Sequence, residues 1–266
     1  NVTFGNAGTD TLVISPAESV LVDTTSGDTN VIINSETTIN EDLTVSTGAG
    51  NITTNGTIDG NNDLEFNSDS TTRINGRIGG TTPVATLTTD APGVTELNNS
   101  IDAQGGTITF NDAVELISSL VLTDTGGTGV TFNDTVDGAN DLTLNVDGMT
   151  NFNGDVGATT PVGDGTGASV IINSTGTTNF NEEVTTASGM TQADGAGLVT
   201  FFKDVTVQGA GDTANTFNGN VVLDGLTFTS NQDTTFGNAG TDTLTVNPAL
   251  TTVDTSVAGA NVIMNS

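Results

Sequence analysis

The chain has 266 residues, with 3 Lys or Arg against 32 Asp or Glu, so its formal net charge is −29, and it contains no Cys, His, Trp or Tyr. This composition excludes nucleic-acid binding, which needs a cationic surface, and zinc, haem or iron–sulfur sites, which need Cys or His. It also excludes thiol, Ser-His-Asp and His-based catalysis. The cationic groups that remain are Lys203, Arg73 and Arg77, and we expect no enzymatic activity and no required cofactor.

Short apolar runs recur along the chain and are separated by Thr, Gly and Asn, of which there are 53, 34 and 30. Thr and β-branched residues favour strands, while Gly, Asn and Asp favour turns, so the pattern predicts an ordered all-β chain. No run reaches the roughly 18 apolar residues of a membrane helix, and we expect no direct membrane insertion. The clearest runs are Val31–Ile33, Leu120–Leu122, Leu142–Val146 and Val170–Ile172.

The chain also repeats itself over long distances. Residues 3–35 recur as residues 235–266, with Thr3–Leu12 identical to Thr235–Leu244. Residues 52–84 recur as residues 130–162 at a constant offset of 78, with 18 of 33 positions identical. Repetition of this kind is typical of solenoid proteins built from stacked units.

A shorter signature runs through these repeats: an apolar residue or Thr, then Asn, two variable residues, and Val, Ile or Leu. A loose spacing near 20 residues predicts a single parallel β-helix over residues 1–266, with about 13 rungs of roughly 20 residues and a length of about 60 Å. An array of immunoglobulin-like sandwiches is the alternative, which the signature disfavours because it runs through the 78-residue unit. The signature begins at Ile39, Thr54, Ile74, Leu97, Phe110, Phe132, Phe152, Phe180 and Phe217.

Two of these segments, Val130–Gly138 and Thr150–Gly157, resemble the strand repeats of large bacterial surface proteins. That family comprises the filamentous-haemagglutinin and autotransporter-like β-helix proteins, also called β-strand-repeat proteins. The resemblance covers most of the chain and implies a right-handed, secreted β-helix at the bacterial cell surface, serving as an adhesin, a fibre or a coat. It carries over no catalytic or ligand residue, because the family's motif is structural.

Two motifs suggest calcium binding. Gly5–Leu12 and Gly237–Leu244 approximate the nonapeptide of calcium-binding β-rolls, with Asp10 and Asp242 as candidate ligands, although that repeat needs tandem copies. Asp59, Asn61 and Asp63 have the 1, 3, 5 spacing of an EF-hand loop, but the Gly at position 6 and the Glu at position 12 are missing. A plain turn is the favoured interpretation of both motifs.

The signature asparagines have two structural interpretations. They can stack into a ladder of side-chain amides, or they can occupy turns with positive φ, where Asn is tolerated. Asn-Gly pairs such as Asn55-Gly56 and Asn75-Gly76 favour the turn. The sequence leaves both open.

We expect a structural protein of a bacterial extracellular fibre, sheath or surface coat. The repeated beginning and end suggest either a longer repeat protein or subunits that stack end to end. The dense negative charge solubilises the rod or, with Ca²⁺ or another divalent cation, bridges neighbouring rods. The alternative is the stalk or passenger of an adhesin that binds a cell-surface ligand through an outward loop, for which Thr159–Ala168 and Thr186–Leu198 are the longest candidates.

Overall fold

Each coil of the chain consists of up to three short strands, because alternating apolar and Thr residues suit a strand that is buried on one side only. The computed structural model describes residues 1–6, 9–15, 18–209, 213–247, 251–255 and 260–265. Strands of successive coils pair in parallel, which gives a β-solenoid of about 11 turns, with about 22 residues per turn and about 1% helix. The predicted parallel β-solenoid is therefore confirmed.

The solenoid has three faces, which we name A, B and C in the order in which the chain visits them. A short 3₁₀ turn, Thr25–Gly27, lies between the first and second coils. Face A contains β1 (Val2–Phe4), β4 (Val31–Ile33), β7 (Ile52–Thr54), β10 (Thr71–Ile74), β12 (Val94–Leu97), β15 (Ala113–Leu116), β18 (Val136–Asp137), β23 (Val184–Thr186), β26 (Val205–Val207), β29 (Thr227–Ser230) and β32 (Thr252–Asp254).

Faces B and C complete each coil. Face B contains β2 (Thr11–Ile14), β5 (Glu36–Ile39), β8 (Ile58–Asp59), β13 (Ile101–Gln104), β16 (Leu120–Thr125), β19 (Leu142–Val146), β21 (Val170–Ile172), β24 (Met190–Gln192), β27 (Asn215–Phe217), β30 (Thr234–Phe236) and β33 (Val262–Met264). Face C contains β3 (Val20–Asp23), β6 (Leu43–Gly48), β9 (Asp63–Ser68), β11 (Thr86–Thr89), β14 (Thr107–Phe110), β17 (Gly129–Phe132), β20 (Met149–Phe152), β22 (Thr178–Phe180), β25 (Val199–Phe201), β28 (Val221–Asp224) and β31 (Leu244–Asn247).

Single-residue bridges make faces A and B continuous. Val156 pairs with Val136 below it and Val184 above it on face A, and Ile78 pairs with Ile58 and Ile101 on face B. With these two positions, the 33 strands of the described residues fill 35 places along the spiral, which is eleven turns and two thirds. At about 4.8 Å per coil the described chain is a rod about 56 Å long.

The predicted number of rungs was too high, because some corners are longer than the signature suggests. Ile78 and Val84 both pair with β13, so residues 79–83 bulge outward between them. The connection from Val156 to β21 is longer still, and between these two elements Val162 alone forms a β-bridge with a neighbouring coil. Such insertions raise the average coil from the predicted 20 residues to about 22.

The buried apolar residues form one continuous cluster from Val31 to Phe236. Its most regular part is a column of phenylalanines on face C, in which each ring stacks on the ring of the next coil with centroids 4.7 to 5.2 Å apart. Stacked aromatic pairs add about 0.5–1.5 kcal/mol each beyond their buried area. The column consists of Phe110, Phe132, Phe152, Phe180 and Phe201.

The 78-residue repeat does not return to the same face. Ile52 lies in β7 on face A, whereas its counterpart Val130 lies in β17 on face C. Likewise Ile58 lies on face B and its counterpart Val136 lies on face A. The repeat thus spans three coils and two thirds, and one sequence adopts the same strand structure on different faces of the solenoid.

Candidate functional sites on the solenoid surface

Asparagine ladders follow two corners of the solenoid. Between faces A and B, the side-chain Nδ2 of Asn55 donates to Oδ1 of Asn34 at 2.8 Å, that of Asn75 donates to Asn55 at 2.8 Å, and that of Asn98 donates to Asn75 at 2.7 Å. A second ladder between faces C and A has bonds of 2.7, 2.8 and 2.8 Å. Its members are Asn111, Asn133, Asn153 and Asn181.

The ladder interpretation is therefore confirmed for seven of the nine signature asparagines, while Asn40 and Asn218 lie outside it. The alternative, positive φ, is wrong for these residues, since Asp28 is the one non-glycine residue with positive φ in the described part of the chain. The glycines of the Asn-Gly pairs are required by close packing between corners. A Cβ on Gly76 would lie 1.9 Å from the carbonyl oxygen of Gly56 in the coil below, so glycine permits the close stacking of the two corners.

Asp10 and Asp242, the candidate ligands of the β-roll motifs, each accept hydrogen bonds from backbone N–H groups of their own turn. Oδ2 of Asp10 accepts a hydrogen bond from the backbone N–H of Asn6 at 2.8 Å. Oδ2 of Asp242 accepts from the N–H groups of Asn238 and Ala239 at 2.8 and 2.9 Å. Residues 7 and 8 of the first motif lie outside the described residues. The two aspartates lie in the first and eleventh coils, so the structure does not bring them together.

The Asp59, Asn61 and Asp63 motif likewise binds protein groups. Oδ1 of Asp59 accepts from the N–H groups of Thr81 and Thr82 at 2.7 and 3.1 Å, and thereby anchors the 79–83 bulge of the next coil. Oδ1 of Asp63 accepts from the hydroxyl of Thr86 at 2.9 Å, and Asn61 is exposed. Within the described ranges, no three acidic side chains are grouped so that they could hold a metal ion. Calcium binding at either motif stays a prediction.

Repetition of the Asp59 motif creates two related surface grooves. Oδ1 of Asp137 accepts from the N–H groups of Thr159 and Thr160 at 2.8 and 3.0 Å, which reproduces the Asp59 contacts 78 residues later. The grooves have volumes of about 390 and 230 Å³. Each is lined by threonines and two carboxylates, which suits a hydroxylated or cationic ligand. The first contains Glu36, Thr37, Thr38, Thr57, Asp59, Thr81 and Thr82; the second contains Val94, Ala113, Val114, Glu115, Thr135, Asp137, Thr159 and Thr160.

Both arginines are engaged in ion pairs at the surface. Arg73 forms a bidentate pair with Glu96 of the next coil, and this hydrogen bonding lowers the pKa of the Glu96 carboxyl. On face B, two guanidinium nitrogens of Arg77 donate to the same oxygen, Oδ2 of Asp102. Both arginine side chains are more than a third exposed, so each pair adds at most about 1 kcal/mol to stability. On face A the strand register places Glu115 beside Glu96, and Asp137 beside Glu115.

Two buried carboxylates were not among the sequence predictions. Asp112 is 2% exposed and accepts hydrogen bonds from the hydroxyls of Thr89 and Thr95 at 2.7 and 2.9 Å. Asp124 is fully buried, and neither of its side-chain oxygens makes a hydrogen bond of good geometry, although the Gly129 amide lies near enough to interact with the carboxylate. Burial raises the pKa of both aspartates; nearby Asp147 raises that of Asp124 further, and the Gly129 amide offsets this only in part.

The two predicted ligand loops differ in structure. Residues 159–168 do leave the coil, and Asp164 to Gly167 are exposed. Residues 186–198 do not form one loop, because β24 crosses them with Met190 and Gln192 fully buried. The side chain of Gln192 donates to the carbonyl oxygen of Gly197 at 2.7 Å and ties the remaining short turn to the core.

No helix in the described part of the chain is long and apolar enough to cross a membrane. Comparison with protein-family models, with curated proteins and with solved structures finds no match to this chain. The structure itself is a β-solenoid with a column of stacked phenylalanines inside, asparagine ladders at two corners, and an acidic, threonine-rich surface.

Proposed function

We propose that the chain is a non-enzymatic structural element of a bacterial extracellular fibre, sheath or surface coat, and that it assembles end to end. One observation carries the proposal. The same interactions recur from coil to coil: backbone ladders on three faces, five stacked phenylalanines and two asparagine ladders. Such an arrangement resists bending and shear without performing any chemistry.

The surface supports this role. A charge of −29 over about 56 Å is roughly one charge per 2 Å, close to the charge density of duplex DNA. Rods of this kind repel one another side by side and attract cations. Divalent cations such as Ca²⁺ or Mg²⁺ would bridge carboxylates of neighbouring rods and so replace that repulsion by lateral attraction.

Electron microscopy of the purified native material, before and after EDTA, tests the proposal. We expect filaments built of rods one chain wide, and bundles that separate into single filaments in EDTA. Bundles unchanged by EDTA would contradict cation bridging but leave end-to-end assembly in place. Separate short rods in both conditions would contradict the assembly itself.

The twin grooves favour a second candidate function, the stalk or passenger of an adhesin. Their repetition on two faces offers a polar cell-surface ligand two related sites of different size. Substitution of the exposed Asp164 and Thr166 by Ala leaves the buried anchor Val162 in place. If the 159–168 loop binds, beads coated with this variant lose attachment to bacterial and epithelial cells. The matched control is a variant with Ala at Asp69 and Thr125, which are exposed at the other two corners of the rod.

A further inference from the structure

Four Asn-Gly pairs lie at corners of the solenoid, and this dipeptide can react with itself. The backbone nitrogen of the glycine can attack the side-chain amide carbon of the asparagine, because a residue without a Cβ leaves that nitrogen unhindered and its backbone free to rotate. The same dipeptide thus occurs in four different surroundings, which decide where the attack takes place. The pairs are Asn55-Gly56, Asn75-Gly76, Asn153-Gly154 and Asn218-Gly219.

At three of the pairs the glycine nitrogen is buried and already donates a hydrogen bond to the coil below. Attack would first break that bond, and the base that takes up the amide proton would have to reach a buried N–H. A buried group that loses its hydrogen bond carries the full cost of being left unpaired. The donors and acceptors are Gly56 with the carbonyl oxygen of Ile33 at 3.2 Å, Gly76 with that of Thr54 at 3.0 Å, and Gly219 with Oε1 of Gln192 at 3.1 Å.

The fourth pair differs at this nitrogen. Gly154 is partly exposed, and its N–H donates no hydrogen bond to any described residue. At the Asn55 corner two successive N–H groups share one acceptor, the carbonyl oxygen of Ile33, at 2.7 and 3.2 Å. At the fourth pair Asn153 alone donates to the carbonyl oxygen of Phe132, at 2.8 Å. The nitrogen of Gly154 is therefore free to approach the neighbouring side chain.

We propose that Asn153 is a site of spontaneous deamidation. The Gly154 nitrogen gives up its proton to solvent and bonds to Cγ of Asn153, and the bond from Cγ to Nδ2 breaks. The amide nitrogen takes up a proton and leaves as ammonia, so that a succinimide ring remains. Water then opens the ring at one of its two carbonyl carbons and gives aspartate or isoaspartate. The net change converts an amide and water into a carboxylate and ammonium, so the reaction needs no oxidant and no further reactant.

Deamidation changes the second asparagine ladder. In the unmodified chain Nδ2 of Asn153 donates to Oδ1 of Asn133, and Oδ1 of Asn153 accepts from Nδ2 of Asn181, both at 2.8 Å. A carboxylate still accepts from Asn181 but has no hydrogen to donate, so the bond to Asn133 is lost and one negative charge is added. Isoaspartate also lengthens the main chain by one carbon at this corner. The reaction therefore interrupts the ladder at its third member.

Peptide mapping by mass spectrometry, on the folded chain held in mildly alkaline buffer, measures the loss of each amide over time. We expect Asn153 to lose its amide about tenfold faster than the asparagines of the other three pairs, the factor that corresponds to leaving one buried group unpaired. In urea the four pairs should react at similar rates, because no hydrogen bond then protects any glycine nitrogen. Equal rates in the folded chain would overturn the proposal.

The other pairs also distinguish the free nitrogen from two rival causes. If exposure of the side chain controlled the reaction, Asn55 would react as fast as Asn153, since both are exposed. If the ladder bonds controlled it, Asn218, which lies outside both ladders, would react fastest. Either result overturns the assignment to the Gly154 nitrogen. Asn153→Gln is the matched control: it keeps an amide but needs a larger ring, so the early release of ammonia should disappear, and its persistence would place the reaction at another residue.

Discussion

The side-chain amide of Asn75 donates to Oδ1 of Asn55 at 2.8 Å, although the two residues are one full coil apart in sequence. Asn98 donates to Asn75 in turn, so Asn75 both donates and accepts along the axis. A hydrogen bond of this kind contributes about 1 kcal/mol net. The ladder therefore fixes the position of each corner relative to the corner of the next coil. The backbone hydrogen bonds join only the strands on the faces and do not hold the corners in place.

Removal of one ladder member should weaken the solenoid measurably. Asn75→Ala deletes two side-chain hydrogen bonds, and we expect the free energy of unfolding in urea to fall by about 1–2 kcal/mol. Asn40→Ala is the control, since Asn40 is an exposed signature asparagine outside both ladders. Equal losses for the two variants would show that the ladder bonds add nothing beyond helping to form a corner.

The phenylalanine column should be the most sensitive part of the core. Phe152 stacks on Phe132 and Phe180, both at 4.7 Å, so Phe152→Ala opens a cavity and should cost about 3–5 kcal/mol. Phe202→Ala removes a ring that is 40% exposed and should change stability by at most about 0.5 kcal/mol. Calorimetric melting of both variants measures the difference, and similar losses would contradict the assignment of the column as core.

Asp124 should make the protein more stable in mild acid than at neutral pH. Its pKa is raised by burial, so the folded state holds the proton more tightly than the unfolded state, in which Asp titrates near about 3.9. The stabilising contribution is complete below that value and is lost as the pH rises through the higher folded pKa. Asp124→Val should therefore add about 1–3 kcal/mol at pH 7, since it removes a buried carboxylate whose oxygens make no hydrogen bond of good geometry.

Melting temperatures of the two proteins at pH 4.5 and pH 7 test the predicted direction of this pH dependence. The advantage of Asp124→Val should shrink as the pH falls from 7 to 4.5, because burial raises the pKa of the native carboxyl and acid favours its neutral form. Asp23→Asn is the control: Asp23 is exposed, and hydrogen bonds from Thr25 lower its pKa, so the substitution should bring no gain at either pH. A gain for Asp124→Val that is independent of pH would mean that the carboxyl is already neutral at pH 7.

Charge should control association between rods. Salt shortens the screening length from about 30 Å at 10 mM to about 8 Å at 150 mM, so higher ionic strength should favour larger assemblies. Light scattering in NaCl and in MgCl₂ at equal ionic strength separates two causes. Equal scattering in both salts indicates screening alone, whereas greater scattering in MgCl₂ indicates bridging of carboxylates by the divalent ion.

The sequence predicted the fold because every coil repeats the same local pattern. Val31–Ile33, Leu142–Val146 and Val170–Ile172 are strands as predicted, and the asparagine of the signature marks the corner that follows a strand. The number of coils was less predictable, since residues 79–83 bulge outward between Ile78 and the buried Val84 and lengthen their coil without adding another. Corner length depends on contacts with neighbouring coils.

Both buried carboxylates follow the local alternation of inward and outward residues. Asp124 shares the inward phase of Leu120 and Leu122. Asp112 shares that of Phe110 and Val114, and the hydroxyls of Thr89 and Thr95 donate to it from neighbouring strands. The rotation of the 78-residue repeat could not be predicted, because faces A, B and C accept the same residue types.

Electron cryomicroscopy of the 266-residue chain at high concentration tests the central claim most directly. End-to-end assembly predicts filaments with a subunit spacing of about 56 Å and coil layers about 4.8 Å apart that continue across each junction. Isolated rods about 56 Å long, without axial contact in NaCl or MgCl₂, would contradict it.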